Sequence, residues 1–394
     1  MAGGLVAGAA LVIATLLWIA GRGTDGLFND FYGYWAGARI LNQGGDPYDL
    51  ALVARTQQAE GIHALIGGGY SYPPLFAELL RPIGAMPPRV AALLFAAVSV
   101  GGVVVAGAIL VATLEPRNWI VAVIGGLGTG LFPPLTGSLY FGQANLVVLP
   151  LIAWTFARMA AAPGALGIAA AVKLYPVSGF LALFTQGRRG VRLLFVSAVT
   201  TGLFVFAPFV SGNTRHFFSS SVGLLTPDPF WSNQSVNGWV SRLALASELT
   251  RPPLPGLPVA PVMAALVVVL LVATCCVLAL ARDRSWRAAF ALALWFGIVA
   301  APKNSLWNLT PLLVCFAFAW PRTAGRRLLL ILLAAGYALI VIQAEENVIR
   351  DWIYAGGPAL SWFSSLGLYG ALVLGAVLVR LLLAPRDAAA APTA

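Results

Sequence analysis

Several residue groups in this sequence have the types and spacing that chemistry requires. Asn29 and Asp30 precede Phe31, Tyr34, Trp35 and Ala38, which follow the i, i+3, i+4, i+7 spacing of one helix face. A carboxylate there can cap the helix, or it can serve as general base for a hydroxyl at a membrane surface. The helix N-terminus favours the ionised form, so a base role requires the hydroxyl to be held against it. Lys173 lies beside Pro176 at the centre of the apolar stretch Gly164–Gln186. A cation at that depth costs about 2.5–3.5 kcal/mol on insertion scales and calls for a partner. It either snorkels to the surface or captures an anion, most simply a lipid phosphate. Gly142-Gln143-Ala144-Asn145 and Asn233-Gln234-Ser235-Val236-Asn237 are amide-rich. Amides of this kind cap helices and join them, and they also suit sugar hydroxyls, because each offers donors and an acceptor. His216 follows Arg215, a pair able to contact a phosphate. The cluster Tyr70-Ser71-Tyr72-Pro73-Pro74-Leu75-Phe76 reads as a turn feeding a second short interfacial helix that runs to Met86.

The elements that must position these groups follow from composition. Of the 394 residues, 59% are hydrophobic and 10% charged, and mean hydropathy is +0.86. A soluble domain carries roughly a quarter charged residues. Apolar runs of bilayer length recur along the chain, so it reads as an all-α polytopic membrane protein. The three cysteines lie in apolar runs with no Cys/His spacing of a zinc site. The sequence has no Walker A motif and no Asp-x-Asp pair. Gly126-Leu127-Gly128-Thr129-Gly130 sits inside an apolar run, where helix packing is its natural role. Any transfer chemistry is therefore expected to use no metal, nucleotide or other cofactor.

The expected spans start with Leu5–Ala20, which reads as a retained first helix because it lacks a basic n-region and a small-residue cleavage site. Basic residues flank Gly164–Gln186 on both sides, at Arg158 and at Arg188, Arg189 and Arg192. That pattern predicts a hairpin of two half-helices with its tip at Lys173-Leu174-Tyr175-Pro176. The bundle then has about 11–12 transmembrane passes, forming one domain over 1–394. Thirteen basic residues fall in short loops on the side of the termini, against Glu115, Asp283 and Asp387. The positive-inside rule makes that side cytoplasmic. The net charge of +10 thus reports insertion, with no nucleic-acid partner implied. The long hydrophilic segments 21–89 and 213–257 fall outside the cytoplasm, where they would form an extracytoplasmic site with interfacial helices in the first loop.

Asp30-Phe31…Tyr34-Trp35-Ala36-Gly37-Ala38, closing in Gly45-Asp46-Pro47-Tyr48, resembles the first-loop signature of glycosyltransferase family 87. Tyr72-Pro73-Pro74-Leu75-Phe76, Gly142-Gln143-Ala144-Asn145, Val172-Lys173-Leu174-Tyr175-Pro176 and Asn233-Gln234-Ser235 continue the resemblance in the same order. It implies a GT-C-type bundle in a bacterial plasma membrane and an inverting hexosyl or pentosyl transfer, with mannose the leading sugar. The donor would be a polyprenyl-phosphate sugar and the acceptor an envelope glycolipid or glycan. Asp30 would be the catalytic base. Lys173, Arg215 and His216 would meet the donor phosphate. Tyr34, Trp35, Tyr72, Gln143, Asn145, Asn233, Gln234 and Asn308 would contact sugar or acceptor. The family often carries a histidine near the place of Asn308, in a segment that here reads Ala301-Pro302-Lys303-Asn304-Ser305-Leu306-Trp307-Asn308. The missing histidine leaves a catalytically inactive family member as one alternative, and a rival reading of the same residues is a transporter or flippase of a lipid-linked anion. The single hairpin and the one-sided long loops weigh against it, since transporters commonly repeat such features in both halves.

Overall fold

Apolar helices build the described chain, because only a helix satisfies its own backbone in hydrocarbon. The computed structural model describes residues 27–62, 69–114, 119–211, 214, 216–247, 250–281, 285–323, 325–344 and 362–384. The expected first span at Leu5–Ala20 and the residue Arg215 lie outside these. Among the described residues, four helical runs are long and apolar enough to cross a membrane: Pro88–Leu114, Tyr175–Phe209, Val259–Leu280 and Trp362–Leu383. Shorter apolar helices include Asn145–Ala157, Met159–Val172, Trp286–Val299, Leu312–Thr323 and Arg327–Gln343.

The chain divides into two compact units, each drawing on several sequence segments. The first comprises 1–177, 195–226 and 307–311. The second comprises 178–194, 227–306 and 312–394.

In the first unit, the Asn29–Asn42 helix departs from expectation in two ways. Neither Asn29 nor Asp30 caps it; the N-cap position is Phe28, with φ 60° and no side-chain cap. The amide of Phe28 instead donates to the Tyr140 carbonyl at 2.8 Å, which ties the helix start to the end of Pro133–Phe141. Asp30 is thereby released from capping. The helix also does not lie with one face in solvent. Phe31, Tyr34, Trp35 and Ala38 are buried as the spacing predicts, but so are Gly33, Ala36 and Gly37 on the other side. The small residues cause this enclosure. A Cβ on Gly37 would stand 3.0 Å from the Tyr70 ring. A Cβ on Gly84 would stand 2.7 Å from the backbone of Ala38, so the Arg81–Gly84 turn packs directly on the helix. The expected second interfacial helix is two pieces, Pro74–Leu79 and Arg81–Gly84, each opened by a proline in its first turn.

The Pro88–Leu114 span turns Ala91, Ala92, Phe95, Ser99, Val103 and Ala106 inward and exposes Leu93, Val98, Val104 and Val105. Apolar exposure of that kind is what lipid contact demands. Gly102 lets this span meet the Leu146 carbonyl, leaving no room for a Cβ. The contact sets the depth of the Asn145–Ala157 helix, whose first residue is Asn145.

At the expected hairpin the Gly167–Val172 helix stops at Lys173, whose backbone is extended at φ −147°, ψ 127°. Pro176 has no N–H to donate to the Val172 carbonyl four residues back, and its ring crowds that oxygen, so the helix does not run on through it. The chain resumes as a 3-10 helix over Tyr175–Gln186, and the next helix, Gly187–Phe206, opens on Gly187 at φ 58°. A positive φ is not helical, so the long apolar run Tyr175–Phe209 is interrupted there.

In the second unit, helices Arg327–Gln343 and Leu366–Leu383 touch backbone to backbone through Gly336 and Gly370, the small-residue contact favoured between membrane helices. Trp295 Nε1 donates to the Ala371 carbonyl at 2.6 Å, and Gly375 leaves space for the indole.

Candidate active site

Residues far apart in sequence meet inside the first unit in one continuous hydrogen-bonded chain. The Gln143 amide Nε2 donates to Asp30 Oδ2. Its Oε1 accepts from the Tyr72 hydroxyl at 3.1 Å. The Tyr34 hydroxyl donates to Tyr72 Oη at 2.8 Å, and Lys173 Nζ donates to the same oxygen at 3.1 Å. Lys173 Nζ also donates to Asn145 Oδ1 at 2.8 Å and to Asn308 Oδ1 at 2.6 Å. Asn145 Nδ2 donates to Asn308 Oδ1 at 2.9 Å. A carboxylate only accepts and an ammonium only donates, so both ends of the chain fix the direction of every link between.

The local sequence explains each placement. Gly142, at φ 68°, closes the Pro133–Phe141 helix in the left-handed conformation that glycine adopts readily. Gln143 and Asn145 follow at once, on the turn and at the head of the next helix. Tyr72 is held by its rings and its backbone: its carbonyl accepts from the Tyr48 hydroxyl at 2.8 Å, and its ring packs against Tyr34 and Phe76. Asn145 is further anchored on the Trp307 carbonyl at 3.0 Å, which also accepts from Ser138 Oγ at 3.0 Å. Gly137 makes this possible, since the Trp307 ring lies where a Cβ would be.

The electrostatics follow from burial. Desolvation raises the Asp30 carboxyl above the ordinary carboxylate range; Asn29, the Lys173 charge and Gln143 pull it back. Burial holds the phenols of Tyr34 and Tyr72 far above their usual range, so both stay protonated as donors. Lys173 is partly exposed, but its ammonium ends among three neutral oxygens, with the Tyr72 ring 5.2 Å and the Tyr175 ring 5.9 Å away. Among the described residues neither Asp30 nor Lys173 makes an ion pair. Opposite charges are thus held apart by Tyr72 and Gln143, with Asp30 partly open and free to accept further hydrogen bonds.

Of the residues the sequence singled out, Asp30, Tyr34, Tyr72, Gln143, Asn145, Lys173 and Asn308 are joined here. Others stand apart. Trp35 is fully buried and donates from Nε1 to the Met86 carbonyl at 3.0 Å, which makes it scaffold. His216 is exposed and its Nδ1 bonds the Asp46 carboxylate. Arg215 is outside the described residues. Asn233 and Gln234 belong to the second unit and have committed their amides. Gln234 donates to the carbonyls of Trp231 and Ser364 and accepts from the Leu368 amide. Asn233 Oδ1 accepts from Ser235 and from the Asn304 amide. The buried Arg242 supports the same segment through the carbonyls of Phe230 and Asn233 and through Ser365 Oγ. Sequence reasoning did not reach Ser138, Thr310 and the Trp307 carbonyl, which brace Asn145. A backbone carbonyl carries no side-chain signal.

The fold and this site define a class: an all-α polytopic membrane protein with a carboxylate and a lysine linked, but not paired, through phenols and amides. Residues 70–302, more than half of the chain, match the model of glycosyltransferase family 87, and the chain belongs to that family. It is a membrane glycosyltransferase. Asp30 and Asn308 lie outside the matched segment, while Tyr72, Gln143, Asn145 and Lys173 lie within it. No curated protein and no solved structure matches the chain.

Proposed function

We propose that this glycosyltransferase moves a sugar, a hexose such as mannose, from a polyprenyl-phosphate donor to an envelope glycolipid or glycan on the extracytoplasmic face of a bacterial plasma membrane. Asp30 takes the proton of the acceptor hydroxyl. The acceptor oxygen attacks the anomeric carbon, the bond from that carbon to the phosphate oxygen breaks, and the sugar inverts. The polyprenyl phosphate leaves with one more negative charge, and Lys173 offsets it. Tyr34, Tyr72 and Gln143 orient the base. His216 orders the Gly45–Tyr48 turn through Asp46 and is not needed at the phosphate. The excess of basic residues in the short loops supports cytoplasmic termini and hence an outward-facing site.

The observation that carries this reading is the charge separation: a partly open carboxylate and a cation without a carboxylate partner, linked through Gln143 and Tyr72. A structural ion pair would have closed. A base and a phosphate clamp must each keep hydrogen-bonding capacity for the reacting atoms, which an ion pair between them would consume.

The test uses purified protein with polyprenyl-phosphate mannose and a glycolipid acceptor fraction. Asp30→Asn and Asp30→Ala are each expected to lower transfer by about 10²–10⁴-fold, the usual contribution of a general base. Near-wild-type transfer by both removes Asp30 from the mechanism. Mass spectrometry of envelope glycolipids from a deletion strain and its parent then identifies the sugar, by a difference of one hexose or one pentose.

A further inference from the structure

A lysine enclosed by neutral oxygens poses a charge question that hydrogen-bond counting does not answer. Its three ammonium protons match three acceptors: Tyr72 Oη, Asn145 Oδ1 and Asn308 Oδ1. The hydrogen bonds are complete, yet the positive charge has no adjacent carboxylate among the described residues. Amides supply dipoles and no countercharge. Both asparagines are themselves fixed. Asn145 is wholly buried and bonded to Trp307 and Ser138. Asn308 Oδ1 accepts from Asn145 as well as from Lys173, so its carbonyl oxygen cannot turn away without breaking two bonds.

We propose that Asn145 and Asn308 are positioning residues for an anion site at Lys173: they fix its ammonium with neutral oxygens and leave it without an ion pair, with Asp30 acting on it only at longer range, so that a phosphate supplies the contacting negative charge. The inference rests on the proposed donor-phosphate role of Lys173 and extends it to the two residues that make the role possible. A carboxylate in either place would keep the geometry and cancel the attraction. An arriving phosphate oxygen displaces one of the three neutral acceptors, and Asn308 is the partly exposed one of the two asparagines.

The signature is a pair of opposite signs. Asn308→Asp keeps an acceptor oxygen 2.6 Å from Nζ and adds the countercharge. A partly buried cation without an ion-pair partner is unfavourable, and pairing it relieves that cost. Asn308→Asp is therefore expected to unfold at a higher temperature than wild type and to bind undecaprenyl phosphate in nanodiscs at least about tenfold more weakly, one anion–cation contact being worth some 1.4 kcal/mol or more. Asn308→Ala, which loosens Lys173 without neutralising it, is expected to unfold at a lower temperature and to weaken binding less than Asn308→Asp does. Competition by inorganic phosphate assigns the site to any phosphate, and failure to compete assigns it to the lipid-borne one; either agrees with the proposal. Wild-type binding by Asn308→Asp overturns it, as does a fall in both stability and binding that merely copies Asn308→Ala. Lys173→Met separates the two levels. If Lys173→Met binds as wild type, the phosphate role of Lys173 itself fails. If Lys173→Met loses binding and Asn308→Asp keeps it, only the role of the asparagines fails.

Discussion

Replacing Gln143 by Met removes the amide that faces Asp30 while keeping most of its volume. Gln143 Nε2 donates to the Asp30 carboxylate, and a hydrogen bond to a charged group contributes about 1.5–3 kcal/mol. Since 1.36 kcal/mol is tenfold in a protonation equilibrium, the proton affinity of Asp30 should rise by roughly ten- to a hundredfold. The groups that remain around it are Asn29, whose Nδ2 stands 3.4 Å away, the Lys173 charge, and the neutral phenols of Tyr34 and Tyr72. The direction is fixed by the chemistry. Asp30 acts as a base only when ionised, so kcat/KM falls as pH drops through its folded-state titration. Burial already displaces that titration upward. Losing the amide destabilises the ionised form further, and the acid limb of the profile should move to higher pH. At pH values well above the limb the rate should recover most of its wild-type value, because the base is again ionised. The assay is kcat/KM for transfer against pH, with Asp30→Asn measured beside it. An acid limb that stays in place in Gln143→Met, while Asp30→Asn is inactive, would refute the claim that this amide sets the ionisation of the base.

The same burial makes a stability prediction. A carboxyl whose folded pKa is raised binds protons more readily in the native state, so stability falls as pH rises from the ordinary carboxylate range through the folded titration. Asp30→Asn should therefore raise the thermal midpoint at neutral pH, and the gain should vanish below the ordinary carboxylate range; an unchanged midpoint at every pH contradicts it. Gly137→Ala should cost about 1–3 kcal/mol by overpacking, because its methyl meets the Trp307 ring, and transfer should fall with it as the Trp307 carbonyl moves from Asn145. Chemical denaturation and the transfer assay together check it. Tyr72→Phe should impair transfer far more than Tyr34→Phe. Tyr72 joins Gln143, Tyr34 and Lys173, whereas removing the Tyr34 hydroxyl costs one donor, about 0.5–1.5 kcal/mol; equal effects would argue against Tyr72 as the junction.

Polar residues stand out in a chain that is 59% hydrophobic, and that contrast made much of the site legible. Asp30, Lys173 and the Gln143–Asn145 amides could be named as candidates because each is costly in an apolar setting without a use. What pattern could not supply was partnership. Asp30 and Gln143 are 113 positions apart, and Lys173 and Asn308 are 135 apart. No local period links them. Local rules also misplaced two groups. Asn29 and Asp30 have the residue types of a helix cap, but the bond from Phe28 to Tyr140 starts the helix from outside and frees the carboxylate. Trp35, on the apolar face of an expected interfacial helix, is instead fully interior, because Gly37 and Gly84 let their neighbours close over the helix. Asn233 and Gln234 read equally well as binding amides and as helix joints, and their bonds make them joints of the second unit.

The amino-acid sequence by itself determined the class of the molecule. Low charge and long apolar runs leave helices in a bilayer as the stable solution, since backbone groups there must be satisfied within each segment. It also determined which side chains are too costly to be idle. Tertiary structure alone decided that Asp30 and Lys173 face one chain of phenols and amides without forming an ion pair, and that Asn308 serves the lysine. The reason is physical: burial cost belongs to a residue and is visible in its type, whereas the separation of two charges depends on distances set by every helix packed between them.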